Sequence, residues 1–390
     1  MVYHFSVMEL FELIAPCHFG LESVLKKEIY DLGYDIVSVE DGRVTFAGDA
    51  EAVARANICL RSAERVLLKA GAFFATSFEE LYRGTKEIAW ERYFPRDAKF
   101  FVTKASSVRS ALFSPSDIQS VMKKAMVDRM SGHYHIAHFE ESGISCPVRV
   151  FIKNDLVTCG IDTTGPSLHK RGYRKMEVSA PIAENLAAAL LLLTPWKPGR
   201  ILLDPFCGSG TFLIEAAMIE ANIAPGMKRR FTADTWTHLI SPRIWKDARD
   251  EAHDSIAKDV SSDLQGYDID ETVLSAARHC AREAGVEGRI HFQTRDVSGL
   301  SHRKPYGFII TNPPYGERIG NDNTLFDLYR TLGERFLMLD NWSLYVITSY
   351  ADAEKAIGKK AAKNRKLYNG MIKTYFYQFP GKKPPGKEPL

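Results

Sequence analysis

Five short apolar runs, at 200–203, 264–267, 289–293, 307–311 and 343–348, alternate with helical patterns at 182–193, 211–222, 271–284 and 324–338. No other feature of the chain restricts its fold as strongly. Parallel strands need crossovers of a dozen residues or more, and a helix fills each one. The alternation therefore predicts a mostly parallel sheet with helices on both faces. Its end differs. In "RKLYNGMIKTYFYQF", Asn369-Gly370 lies between two strand-like runs, which predicts an antiparallel hairpin closing the sheet. The distance from Gly210 to Asp268 far exceeds the ~20 residues of a minimal strand–helix–strand unit, so an insertion at about 223–262 interrupts the first crossover.

The first half follows another pattern. Residues 11–48 read as strand, helix and hairpin, with Leu21, Val24, Leu25 and Ile29 at helical spacing and Asp41-Gly42 as the hairpin turn. A helical pattern over 50–68 completes a small α+β unit with an edge near Lys69. A second unit follows: a helix in "FEELYRGTKEI", a strand in "KFFVTKASS" and a helix over 114–130. Ser114 caps that helix, Pro115 takes its first turn, and Ile118, Val121, Met122, Ala125 and Met126 form its apolar stripe. Val148, Val150 and Ile152 alternate as a strand, Asn154-Asp155 turns the chain, and "LVTCGIDT" returns. Thr163–Ser167 reads as a linker.

At 390 residues the chain exceeds one ordinary core. The divisions expected are 10–69, 70–165, 166–380 and a basic disordered tail at 381–390. No apolar run approaches the ~18 residues of a membrane span, and "MVYHFSVMELFEL" lacks the look of a signal peptide. The six cysteines are scattered without a CxxC pair, which suits reduced thiols in the cytoplasm. His133, His135 and His138 cluster, but no second ligand pair supports a metal, and none is expected. Residues 351–390 hold ten Lys/Arg against three Asp/Glu. A basic edge of this kind suits a polyanion.

"DPFCGSGTF" (204–212) follows the run at 200–203. Gly208 and Gly210 let the backbone turn sharply and approach a ligand, and the helix that begins near Thr211 points free N–H groups into the same space. Leu213 stands where a dinucleotide fingerprint has its third glycine, and no Lys-Ser or Lys-Thr follows, which excludes a Walker A loop. Asp204 would repel a pyrophosphate and suits a cationic ligand. Asp268 and Asp270 end the next strand in "LQGYDID". An acid there can take both hydroxyls of a ribose, and Asp270 is placed to cap the helix that follows. "RIHFQTRDVSGL" supplies a third acidic strand end, Asp296.

"GFIITNPPYGERIG" (307–320) is the most specific signal. Asn312-Pro313-Pro314-Tyr315 ends a β-rich run, and two prolines cannot continue a central strand. They stiffen a loop that presents an amide, a carbonyl and an aromatic ring. Asn312 Oδ1 and the Pro313 carbonyl are placed to accept from an exocyclic amine, and Tyr315 to stack on its ring. An amine conjugated to a base is a poor nucleophile. Two acceptors draw it toward sp3 geometry and expose its lone pair, which is preorganised electrostatics rather than base catalysis.

Asp204-Pro205-Phe206-Cys207-Gly208-Ser209-Gly210 together with Asn312-Pro313-Pro314-Tyr315 resembles the class I S-adenosylmethionine-dependent amino-methyltransferases. "SAPIAENLAAALL" (179–191) looks like their helix before the first strand, which closes over the methionine end of the cofactor. "LHKRGYRK" (168–175) and the N-terminal half narrow the resemblance to THUMP-domain RNA methyltransferases, of the bacterial 23S rRNA guanine-N2 type. It covers about 10–380. The resemblance implies a Rossmann-like α/β domain with a seven-stranded sheet, preceded by a ferredoxin-like unit and a THUMP domain. It implies S-adenosyl-L-methionine as cofactor. Asp204 and the turn through Pro205, Phe206, Cys207, Gly208, Gly210 and Thr211 would hold its methionine end, with Glu184 and Asn185 beside them. Asp268 would bind the ribose and Ile269 pack on the adenine. Asp296 and Val297 would meet the adenine edge, and the Asn312 loop would hold the target base. His169, Lys170, Arg171, Arg174 and Lys175 would clamp RNA phosphates between the two halves. The rivals are an adenine-N6 enzyme acting on DNA or RNA, a tRNA guanine-N2 enzyme, and an RNA-binding assembly factor with a vestigial pocket.

Overall fold

The expected elements of the first unit form in order: β1 (Phe11–Pro16), α1 (Glu22–Asp31), β2 (Ile36–Glu40), β3 (Arg43–Gly48) and α2 (Ala50–Cys59). The computed structural model describes residues 10–136, 138–175, 181–315 and 322–384. Gly42, at φ 75°, closes the β2–β3 turn, a conformation that glycine adopts without a Cβ clash. Asp49 caps α2 by accepting from Ala52 N at 3.0 Å.

The second unit comprises β4 (Leu67–Phe74), α3 (Phe78–Glu87), β5 (Lys99–Val108), α4 (Pro115–Tyr134), β6 (Ser145–Lys153) and β7 (Leu156–Asp162). Ile118, Met122, Ala125 and Met126 of α4 are buried as the stripe required, and Met130 extends it. Ser114 stands at the N-cap position but makes no capping bond with its side chain, and the helix runs beyond the expected 130 until His135 stops it in the left-handed conformation. Asn154 and Asp155 both take positive φ, which makes the β6–β7 turn.

The edge expected near Lys69 falls inside β4. That strand pairs with β1 on one side and β7 on the other, so both units share one sheet of order β2-β3-β1-β4-β7-β6-β5. Two separate sheets would have left β1 and β7 with unpaired edges. Thr163 and Thr164 do not behave as a loose linker either. Both are buried: Thr163 Oγ1 accepts from Asn57 Nδ2 at 2.8 Å, and Thr164 Oγ1 donates to Asn57 Oδ1 at 2.6 Å.

The last unit contains α5 (Glu184–Leu193), β8 (Leu202–Asp204), α6 (Thr211–Glu220), α7 (Pro242–Asp254), β9 (Leu264–Asp268), α8 (Glu271–Ala284), β10 (Ile290–Thr294), β11 (Phe308–Thr311), α9 (Asp322–Leu337), β12 (Ser343–Thr348), α10 (Ala353–Ile357), β13 (Lys363–Asn369) and β14 (Ile372–Phe379). The sheet order is β10-β9-β8-β11-β12-β14-β13. Neighbours from β10 to β12 pair in parallel, and β14 runs antiparallel to β12 and β13. Strand order reverses between β8 and β11. The crevice beyond their carboxyl ends is where open α/β sheets bind ligands.

The insertion within 223–262 carries α7 and joins the halves. Phe231, Trp236, Ile240 and Trp245 are buried in the same core as the N-terminal sheet. Trp236 Nε1 donates to Ser145 O at 3.0 Å, and Arg55 grips Glu251 through two bonds of 2.9 and 2.8 Å. Gly226 lies so close to α2 that a Cβ there would stand 2.5 Å from Asn57 O. All six cysteines are free. Among the described residues no helix is long and apolar enough to cross a membrane, and no group of three His, Cys, Asp or Glu could hold a metal. The tail expected at 381–390 lies outside the described residues beyond Pro384.

Candidate active site

Four strand ends converge on one cleft of about 510 Å³, within the size range of small-molecule sites. The β8 turn forms its floor. Cys207 N donates to Tyr267 O at 2.9 Å, and Gly210 N donates to Cys207 O at 2.7 Å. Gly208 and Gly210 sit at φ 52° and 76°, and a Cβ on Gly210 would meet the Phe292 ring at 3.0 Å. The turn therefore needs glycine at 210 for both conformation and space. Cys207 is buried, and burial pushes its thiol far above the ordinary range. It fills the turn and is no nucleophile.

Asp204 is 2% exposed. Its Oδ1 accepts from Thr311 Oγ1 at 2.6 Å and from Phe206 N at 3.1 Å. Burial outweighs both bonds, and the nearby Asp268 carboxylate adds to it, so the Asp204 carboxyl is raised to about 7. A cation beside it would restore the ionised form. Asp268 spends Oδ2 on Gly208 N and Oδ1 on Asp270 N, both at 3.1 Å. Asp270 caps α8 through Thr272 N at 2.8 Å. Asp296 accepts from Ser298 N at 2.8 Å, and those hydrogen bonds hold its carboxyl below the usual range.

Asp204, Asp268, Ile269, Asp296, Val297 and Asn312 all line the cleft, as do Pro205, Phe206, Cys207, Gly208 and Thr211. Ile269 is 70% exposed. A large apolar side chain left open beside two carboxylates suits a flat apolar ring bound above a ribose. Asn312 Oδ1 is buried and accepts no hydrogen bond among the described residues. Pro314 lines the cleft, whereas Pro313 and Tyr315 are buried. The Tyr315 hydroxyl accepts from Asn369 Nδ2 at 3.2 Å.

Pro181 and Ile182 line the cleft, whereas Glu184 and Asn185, which follow them in the chain, are buried and are not among its lining residues. Glu184 is 3.3 Å from Arg174 Nη1, and burial raises its carboxyl despite that partner. Arg174 Nη2 also donates to Thr211 Oγ1 at 2.7 Å and to Ile182 O at 3.1 Å. The Asn185 Oδ1 atom lies 3.4 Å from His18 Nε2 of the first unit.

The expected phosphate clamp needs correction. Arg171 is buried, with Nε 3.4 Å from Glu215 Oε1 and Nη1 donating to Leu168 O at 2.8 Å. Tyr173 donates to the same Glu215 oxygen at 3.1 Å. A desolvated guanidinium must be matched inside the protein, so Arg171 is a strut and Arg174 braces α5. Burial first, then the neighbouring cations, lowers the His169 imidazole to about 4, so it is neutral at pH 7. Lys170 and Lys175 are exposed, although Lys175 already meets Glu283 at 2.5 Å. Thr311 is a site-supporting residue that motif reading missed, and Arg174, expected to hold RNA, instead supports Thr211 and Glu184. The only local hint for Thr311 is a hydroxyl closing the buried run "FIIT".

The family described as "RMKL-like, methyltransferase domain" matches residues 171–378, more than half of the chain. An "RlmL ferredoxin-like domain" matches 12–67 and a "THUMP domain" 75–162. The chain is 41% identical over 374 residues to the "Putative RNA methyltransferase YpsC" of Bacillus subtilis, covering 95% of this chain and 96% of that one. It is 32% identical to the ribosomal RNA large subunit methyltransferase K/L of Legionella pneumophila, covering 94% of this chain but only 52% of that protein. Among solved structures, a possible methylase from Clostridium difficile 630 superposes with a TM-score of 0.93 at 49% identity over 97% of this chain and 100% of that one. SMU.472, solved with bound SAH, superposes at 0.89 and 41% over 97% and 100%. A protein of Listeria monocytogenes described as a predicted N6-adenine-specific DNA methylase superposes at 0.89 and 44% over 98% and 99%. The cleft's buried carboxylate, its open Ile269 and its glycine turn fit a cationic nucleoside cofactor. The chain belongs to the RMKL-like methyltransferase family, with ferredoxin-like and THUMP domains ahead of its catalytic domain, and S-adenosyl-L-methionine is its cofactor.

Proposed function

We propose that the chain is an RNA methyltransferase that modifies the exocyclic N2 amine of a guanine in 23S rRNA, with the base flipped into the Asn312–Tyr315 loop. The observation that carries this reading is Asn312 Oδ1: a buried acceptor, lining the cofactor cleft, with no donor among the described residues. Buried acceptors in folded proteins are normally paired, and one left open at a cleft awaits a ligand donor. An exocyclic amine supplies it.

When bound, the cofactor supplies an electrophilic methyl group on a positively charged sulfur. The chain's own residues prepare the acceptor. Asn312 Oδ1 and the Pro313 carbonyl take the two N–H groups and turn the amine lone pair out of the base plane. The two prolines hold both acceptors still, so little reorganisation is left for the reaction itself. Asp204, ionised once the cofactor's cation lies beside it, and Asp268 form the acidic floor of the cleft. A base inside a helix cannot reach this crevice and must leave its stack. Glu184 and Asn185 are assigned to the methionine end, acting from α5.

The THUMP match and the names carried by the B. subtilis and L. pneumophila relatives support RNA, and ribosomal RNA in particular. The Listeria description keeps adenine-N6 of DNA as the second reading, because an amine of either base would satisfy Asn312. Parallel acceptor assays with labelled cofactor separate them. Unmodified 23S rRNA transcript takes label and double-stranded DNA does not; labelled DNA with silent rRNA overturns the proposal.

A further inference from the structure

The β13–β14 hairpin carries an exposed apolar tip beside the base-holding loop. β14 pairs with β12 from Tyr375, opposite Thr348, to Phe379, opposite Leu344. Residues 371–374 therefore run past the carboxyl ends of the parallel strands, by on the order of 10 Å at ~3.3 Å per residue. This is the edge from which the cofactor turn and the Asn312 loop emerge. At the tip Met371 is 96% exposed, Ile372 46% and Tyr368 40%.

The tip is held in place. Asn369 pairs with Ile372 across the turn, Gly370 takes φ 62°, and Asn369 Nδ2 reaches the Tyr315 hydroxyl at 3.2 Å. One residue before the tip, Leu367 is buried against Gly20 of the first unit, and Arg365 donates to the Gly20 carbonyl. Two cations flank it: Lys366 Nζ lies 5.6 Å from the Tyr368 ring, and Lys373 Nζ lies 5.3 Å from the Tyr375 ring. From Lys355 through Pro384 the sequence contains no Asp or Glu. The hairpin's positive charge matches a phosphate backbone, and its tie through Asn369 to Tyr315 sets the apolar point beside the pocket that an RNA strand must enter, so a nucleic-acid strand is the occupant it fits.

We infer that this tip is an RNA wedge. Met371 enters the stack in the place the target base vacates, Tyr368 stacks on the adjoining base, and Lys366 and Lys373 take the flanking phosphates. An unbranched apolar side chain fills such a gap without needing a hydrogen-bond partner. The inference rests on the reading that a base leaves its stack for the Asn312 loop.

The test is the double variant Tyr368→Ala/Met371→Ala, assayed on unmodified 23S rRNA transcript. A wedge stabilises the extruded base and acts after docking. The wedge therefore predicts a fall in kcat of about 30-fold, the scale of a stabilised flipped base, with KM for RNA within threefold and SAH affinity unchanged by calorimetry. A kcat within twofold of wild type, or a loss confined to KM, overturns it; the second result would make the tip a docking contact only. As a second measurement, a photo-crosslinking p-benzoylphenylalanine at position 371 is expected to attach to nucleotides flanking the methylated one. Attachment elsewhere in the RNA, to protein, or to nothing overturns the wedge. The nucleoside that wild-type enzyme methylates is read separately, so failure of the guanine-N2 reading is distinguishable from failure of the wedge.

Discussion

Asp204→Asn separates the two consequences of burying a carboxylate at the cofactor floor. Oδ1 carries both hydrogen bonds, from Thr311 Oγ1 and Phe206 N, and an asparagine can keep them with its own Oδ1. The folded state raises the Asp204 carboxyl from 3.8 to about 7. Between those values the folded chain holds a proton that the unfolded chain has released, so stability falls as pH rises through this window. At 1.36 kcal/mol per pH unit the ionised group costs on the order of 4 kcal/mol by pH 8. The variant removes that cost. Urea denaturation of the ligand-free protein should show Asp204→Asn more stable than wild type by up to ~4 kcal/mol at pH 8, with the difference shrinking toward zero near pH 4. Cofactor affinity moves the other way. Losing a charge-assisted bond to a cation is worth ~1.5–3 kcal/mol, or about 10–100-fold. In wild type the carboxylate must be ionised to bind, so affinity should rise about tenfold per unit up to pH 7 and then level off. A flat affinity profile between pH 5.5 and 7.5, or undiminished binding by Asp204→Asn, would refute the reasoning.

Other consequences are checked with simpler measurements. Asn312→Ala should keep cofactor affinity while kcat falls ~10²–10³-fold, the scale of losing one preorganised polar group; single-turnover assays with calorimetry decide it. Arg171→Ala should cost ~3–5 kcal/mol in urea denaturation, because Glu215 would be left buried without its cation. The same variant should leave the salt dependence of RNA binding unchanged, whereas Lys170→Ala should reduce the slope by about one phosphate contact. Trp236→Ala should destabilise by ~3–5 kcal/mol, with both halves unfolding earlier in calorimetry, since this ring sits in the N-terminal core.

Much of this architecture lies in local pattern. The buried strands β8 to β12 show as short apolar runs. The three hairpins show in the sequence as Asp41-Gly42, Asn154-Asp155 and Asn369-Gly370; Gly42, Asn154, Asp155 and Gly370 take the positive φ that selects such residues, while Asn369 stays in β13 opposite Ile372. The cleft residues were legible where chemistry demands a type at a spacing: two glycines in a turn, an acid at a strand end, an amide before two prolines. What was hidden is pairing at long range. Nothing in "VLLKAGAFF" says that β4 serves two units at once, and a basic segment at 168–175 reads the same whether its arginines face solvent or Glu215. Burial of Arg171 depends on α6 arriving from 44 positions away. The aromatic content of the insertion, with Trp236 and Trp245, was its one visible sign of packing.

The product itself tests the central claim most directly. 23S rRNA from cells lacking this gene is digested to nucleosides and analysed by mass spectrometry, before and after incubation with the purified protein and S-adenosyl-L-methionine. N2-methylguanosine should be absent at one position beforehand and appear there afterwards, at one methyl per RNA. New N6-methyladenosine, or no new methylated nucleoside, would contradict the account.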